Sequence, residues 1–170
     1  MPTLTYNPGP GFRISSKFGS RLINNRYEWH PGVDFSADLG TKIHAASSGL
    51  VVYSGYNGTA DGMKAGASYG NTVIIKSISS DGTPYYTLYA HLSSSNMVSR
   101  GERINSGDVI GEVGLTGRTN GPHLHFEILN NEAPVANASG GPIGFKSSVE
   151  SIRHDPDSFS NWADKDSPYS

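Results

Sequence analysis

The chain has 170 residues, with 13 Lys and Arg against 15 Asp and Glu for a formal net charge of −2, 21 Gly, 10 Pro and no Cys. That length suits one domain with a substantial core, and without a basic cluster or a long apolar run neither nucleic acid, an anionic membrane surface nor membrane insertion is expected. The lack of cysteine removes disulfides, thiolate metal sites and a cysteine nucleophile together, so any metal falls to His, Asp or Glu, and the six histidines become the informative residues.

The N-terminal stretch MPTLTYNPGPGFRISSKFGS lacks the charged and then apolar pattern of a secretory signal. The expectation is a processed or excised domain, or export by another route. Next comes WHPGVDF, an H-x-x-x-D segment holding His30 and Asp34. A helix would bring these two side chains to one face, but Pro31 and Gly32 oppose a helix there. A fully extended segment would set their Cα atoms about 13 Å apart, awkward for one ion with ligand bonds of about 2.0–2.2 Å. A turn at Pro31-Gly32 can bring them to a common point. Taken alone, the segment is explained at least as well by a surface histidine and a strand-end aspartate.

Strand signals dominate from there on. Residues 50–53 (LVVY), 72–76 (TVIIK), 85–89 (YYTLY), 109–113 (VIGEV) and 123–129 (HLHFEIL) are β-branched or aromatic runs bounded by Gly, Ser, Asn or Asp. Asp81-Gly82 reads as a hairpin turn between the second and third of these. Gly40-Thr41-Lys42-Ile43, leading to Gly49-Leu50-Val51, is echoed by Gly101-Glu102-Arg103-Ile104, leading to Gly107-Asp108-Val109. Two copies do not make a repeat architecture; they suggest two similar corners in one sheet system. Residues 55–70, 93–99 and 130–142 have loop composition, and loops of such length often form functional rims. No helical period is sustained before residue 145, and 143–162 could hold a short helix or a packed tail. The expected fold is all-β, a mainly antiparallel sheet core with little helix.

In 123–129, strand alternation puts His123, His125 and Glu127 on one face and Leu124, Phe126 and Ile128 on the other, which is the core face. The two histidines then stand roughly 6.6 Å apart at their Cα atoms. An H-x-H pair by itself is modest evidence of a site.

Together, however, the H-x-x-x-D of His30 and Asp34, the YAHL segment ending in His91-Leu92, and the GPHLHFE segment at 121–127 occur in an order that resembles the lysostaphin-type zinc endopeptidases. Ser16-Lys17-Phe18-Gly19, Gly49-Leu50-Val51, the 70–75 run GNTVII and Gly114-Leu115-Thr116-Gly117 are also similar to that family, and the resemblance covers about 12–129. It implies a duplicated hybrid motif fold with a narrow groove walled by loops, and hydrolysis of peptide bonds in bacterial peptidoglycan by metal-activated water. Carried over position by position, it makes His30, Asp34 and His125 the ligands of one Zn2+ ion and His91 and His123 a non-ligand catalytic pair. Three protein ligands leave a fourth position open, as a catalytic zinc site requires. One imidazole can relay the proton of the attacking water and another can hydrogen-bond the oxyanion; the sequence does not say which does which.

Other residues have plainer expectations. Glu127 reads as a supporting or surface residue rather than a ligand. Tyr27 is a candidate to lend a phenol to the oxyanion, His44 is expected to be exposed, His154 to be structural or on the surface, and Asn71 to serve a turn. The resemblance further implies a single domain over 1–170 with its catalytic core at about 12–129 and an extension at 130–170. It implies a monomer acting on peptidoglycan peptides, extracellular or associated with the cell wall, in keeping with a domain cut from a secreted or phage-borne lysin. The rival is a catalytically inactive member of the fold that binds peptidoglycan or regulates another hydrolase; such members lack ligands, whereas here all five positions are filled. Small residues in 55–70 would suit a narrow peptide, or simply a flexible loop.

Overall fold

The computed structural model describes residues 4–16, 18–30, 32–57, 69–117, 119 and 121–129, with the backbone alone at 20, 21, 23 and 27–30 and in three short strands beyond residue 130. Fourteen strands are described: β1 (Arg13–Ser16), β2 (Gly19–Ile23), β3 (Arg26–His30), β4 (Val33–Ser36), β5 (Lys42–His44), β6 (Gly49–Asn57), β7 (Gly70–Ile78), β8 (Pro84–Leu92), β9 (Arg103–Ile104), β10 (Val109–Glu112), β11 (His123–Leu129), β12 (Val135–Ala136), β13 (Ile143–Gly144) and β14 (Arg153–His154). There is no helix among the described residues, and hence none long and apolar enough to cross a membrane. The all-β expectation holds, and every strand pair is antiparallel.

The main sheet runs β1-β4-β11-β8-β7-β6-β9, with β14 also paired to β11. Its two faces follow from alternation. Val33, Phe35, Val51, Val73, Ile75, Tyr89, Leu124, Phe126 and Ile128 turn to the larger core, joined there by Ile43 and Ile110 from the separate β5–β10 sheet. Ile74, Tyr86, Leu88, Ala90 and Leu129 form a second cluster on the opposite face. Leu4 is fully buried in the larger core, so the segment ahead of β1 packs with the sheet.

The two echoed corners do not share one sheet. β5, from the first corner, pairs β10, the strand following the second. In exchange β9, from the second corner, pairs β6, the strand following the first. The corners are thus built alike because each supplies a short strand to the other's partner. The Asp81-Gly82 turn is closed by Ser79 N–H donating to the Thr83 carbonyl at 2.9 Å and by the Thr83 N–H donating to Asp81 Oδ1 at 3.0 Å. The run at 55–70 is not loop throughout: β6 continues to Asn57 and Gly70 opens β7, because both ends of it join the long β6–β7 ladder. Residues 58–68 lie outside the described residues. So does most of 130–170, including the stretch of the expected short helix apart from the strands at 143–144 and 153–154.

Candidate active site

Register assembles the site. β11 pairs β4 with His125 opposite Asp34 and His123 opposite Ser36, so Asp34, His123 and His125 share the face away from the larger core. On its other edge β11 pairs β8 with His125 opposite Ala90. His91 follows Ala90, and plain alternation would send it to the core face with Tyr89. A bulge prevents this. Tyr89 pairs Val73 and Leu92 pairs Asn71, so two residues of β8 face one of β7. The extra residue lets Leu92 rejoin the larger core and re-aims His91. His91 has φ 63°, the left-handed region that non-glycine residues enter at a cost. Its backbone is tied on both sides: its N–H donates to the Tyr69 carbonyl at 2.8 Å and its carbonyl accepts from Gly114 N–H at 3.0 Å.

The rings come together as a result. The His91 and His123 centroids are 4.8 Å apart and those of His91 and His125 5.9 Å. His125 is almost wholly buried, with Nδ1 2.8 Å from Asp34 Oδ1 and Nε2 2.8 Å from Glu127 Oε2. His123 Nε2 lies 3.6 Å from the same Asp34 oxygen. Tyr69 stacks over His125 at 5.7 Å and 29°. Carbonyl oxygens only accept, so His91 Nδ1–H donates to the Thr116 carbonyl at 2.8 Å and His123 Nδ1–H to that of Gly121 at 2.9 Å. An imidazole whose one proton is held at Nδ1 in this way keeps its Nε2 lone pair.

Electrostatics separate these rings. Burial, then the charges of His125 and His123, push His91 down to about 3, so it is neutral at ordinary pH. Burial also acts to lower His125, but its hydrogen bonds to Asp34 and Glu127 and their charges more than offset this and hold it up at about 9. In the metal-free chain the surroundings thus keep His91 a neutral acceptor and hold on His125 a proton that a bound metal would have to displace.

Of the predicted site residues, Asp34, His91, His123 and His125 are brought to one place. His30 ends β3, where its backbone pairs Gly19; its side chain and that of Tyr27 lie outside the described residues. Among the described residues no group of three His, Asp or Glu side chains forms a ready cage for an ion. The Asp34 oxygen and the His125 nitrogen nevertheless converge as an O and N donor pair, the chemistry that suits zinc. His44 is half-buried rather than exposed, its Nδ1 2.8 Å from the Gly107 carbonyl and its ring against Tyr6. Glu127 is fully buried, not a surface residue.

Thr116 and Tyr69 were not foreseen as supports. Thr116 accepts from Asn71 N–H at 2.9 Å, donates to the Leu92 carbonyl at 2.6 Å, and holds His91 with its own carbonyl. Gly70 makes this possible: it has φ 66°, and a Cβ there would overlap the Thr116–Gly117 peptide. The Gly70-Asn71 and Gly114-Leu115-Thr116-Gly117 segments were the available signals, because glycines at strand ends mark close backbone approach. A depression lined by Leu39, Gly40, Ser93, Ser94 and 113–116 lies beside this support.

The sequence model of peptidase family M23 matches residues 28–137, a stretch that contains His30, Asp34, His91, His123 and His125. The chain belongs to peptidase family M23. Within M23 it is 39% identical over 125 residues to the DD-carboxypeptidase/endopeptidase Mpg of Neisseria meningitidis serogroup B, a match covering 72% of this chain and 26% of that protein. The chain thus spans about a quarter of that relative's length. Its fold is similar to the catalytic domain of the antimicrobial peptidase lysostaphin from Staphylococcus simulans, with TM-score 0.63, 29% identity, and coverage of 87% of this chain and 91% of that one. A zinc containing peptidase from Vibrio cholerae matches with TM-score 0.60 and 29% identity over 76% of this chain and 37% of that one. The lysostaphin-type family and its all-β fold are therefore those of this chain.

Proposed function

We propose that this chain is a zinc-dependent endopeptidase that hydrolyses peptide bonds in bacterial peptidoglycan, in a cross-bridge or a stem peptide, outside the cell or at the wall. The observation that carries this is the gathering of Asp34, His91, His123 and His125 at one end of the sheet, from three strands remote in sequence. The Mpg and lysostaphin likenesses supply the substrate class. Asp34, His125 and His30 would hold one zinc ion, and His91 and His123 would act beside it. Zinc, when bound, would polarise the scissile carbonyl and lower the pKa of the attacking water.

The rest falls to the protein. An Nε2 lone pair of the histidine pair accepts the water's proton as the water oxygen bonds to the carbonyl carbon. The same proton passes to the departing amine nitrogen as the C–N bond breaks, so no covalent acyl-enzyme is needed. The second imidazole, when protonated at Nε2, donates to the developing oxyanion. Thr116 and Gly121 fix both rings through Nδ1, so that neither has to reorient during the reaction.

The reading is tested on purified walls of several cross-bridge types, with and without a chelator, by sequencing the released peptides. The expected result is cleavage lost on zinc removal and restored by zinc, with His91→Ala and His123→Ala retaining zinc but losing roughly 100-fold or more in turnover. Full activity after complete zinc removal, or in His125→Ala, overturns it.

A further inference from the structure

His91 and His123 are held in the same way. Each Nδ1–H donates to a backbone carbonyl, that of Thr116 for His91 and that of Gly121 for His123. Each carbonyl also belongs to a residue that a threonine hydroxyl pins. Thr116 is pinned by its own hydroxyl, through the bonds to Asn71 and Leu92. For Gly121 the hydroxyl is that of Thr119, which donates to the Gly121 carbonyl at 2.6 Å and accepts from the Gly121 N–H at 3.2 Å. The same oxygen lies 3.0 Å from His123 Nδ1. Its hydrogen is spent on the carbonyl, so a lone pair remains for the Nδ1–H, which hydroxyl and carbonyl share.

Packing gives Gly121 little other support. A Cβ built on it would meet no atom within 4 Å, Pro122 is exposed, and pairing to β4 begins only at His123. On the His91 side, by contrast, a Cβ on Gly114 would overlap the Leu92–Ser93 peptide. Between the two threonines Gly117, at φ 77°, turns the chain, so hydroxyls three residues apart serve two separate imidazoles. We propose that Thr119 is a positioning residue for His123: its hydroxyl seats Nδ1–H and pins the Gly121 carbonyl, which holds the ring with Nε2 turned to the Asp34 side of the site. The loop at 116–121 is then one cradle that sets the 4.8 Å spacing of the two rings. This rests on the catalytic reading of His123 and goes beyond it in naming what aims that group.

The test compares wild type with Thr119→Val, which keeps the shape and removes the hydroxyl, and Thr119→Ser, which keeps the hydroxyl. Kinetics on solubilised wall fragments give kcat and KM, zinc affinity is titrated against a competing chelator, and the His123 ring protons are followed by 1H–15N NMR of the zinc-loaded proteins. Thr119→Val is expected to lose about 10–100-fold in kcat, the scale of a misplaced reacting group, with KM and zinc affinity kept. Thr119→Ser should retain most of the wild-type kcat. A slowly exchanging His123 Nδ1–H should be present in wild type and Thr119→Ser and lost from Thr119→Val. Wild-type kcat in Thr119→Val, equal losses in the two variants, or an Nδ1–H equally protected in Thr119→Val overturns the proposal. If Thr119→Val does not fold, the wild-type spectrum decides: His123 protonated at Nε2 alone rules the proposal out, and a slowly exchanging Nδ1–H sustains it. Failure of wild type to cleave any wall instead defeats the catalytic reading of His123, and Thr119 is then judged on the Nδ1–H signals of the three proteins.

Discussion

His125 sits between two carboxylates, and its state without metal follows from that. Its value in the folded chain is held up at about 9, above the ordinary 6.5 of an unfolded histidine. The sign is that of a group stabilised in its protonated form: the contribution is complete below pH 6.5 and is lost as pH rises through 9. Urea unfolding of the metal-free protein should therefore show a higher midpoint at pH 6 than at pH 9.5, and His125→Ala should remove most of that difference. The same substitution takes one partner from the buried Glu127 carboxylate and should destabilise the metal-free protein by roughly 1–3 kcal/mol. Much at this scale was legible from composition and alternation. Without cysteine the histidines had to carry any metal chemistry, and the period of two put His123, His125 and Glu127 on one face. Burial of Glu127 was not legible, because Gly32, just ahead of a different strand, packs against it where a Cβ would not fit.

At the scale of elements, the bulge in β8 and the loop at 114–117 decide where His91 points. Gly70 and Thr116 are the joint between them. Gly70→Ala adds a Cβ at positive φ against the Thr116 backbone and should cost roughly 2–4 kcal/mol of stability, read as a lowered unfolding midpoint. Thr116→Val removes the hydroxyl that bonds Asn71 and Leu92 and should cost roughly 1–3 kcal/mol. Because the same residue fixes His91, kcat should fall in Thr116→Val while zinc affinity is kept; unchanged kcat with lowered stability would reduce Thr116 to a purely structural residue. Strand existence was readable from β-branched and aromatic runs, and five strands lie where those runs predict. The bulge was not, since a run such as YYTLYAHL looks the same whether or not its ladder slips by one residue.

For the whole molecule, β14 pairs β11 at Ile128 and Leu129, next to the strand that carries His123 and His125. Truncation after residue 142 would open that edge, and the expected outcome is a loss of roughly 1–2 kcal/mol in unfolding free energy with zinc binding preserved, checked by thermal melts and zinc titration. Loss of zinc binding would show that the edge strand also supports the site. The two echoed corners carry a related lesson: their likeness was visible, but their exchange of partners, β5 to β10 and β9 to β6, appears only in the folded sheets. What the sequence by itself determined is the inventory and its local geometry, namely β-strands, the donor types and the faces they share, because alternation is a property of neighbouring residues. What only the tertiary structure decided is convergence. Asp34 and His125 are 91 residues apart in sequence, and strand register brings their side chains within 2.8 Å, while a bulge and a glycine-permitted close approach aim His91 beside them. These depend on how distant segments pack against one core, which no local pattern encodes.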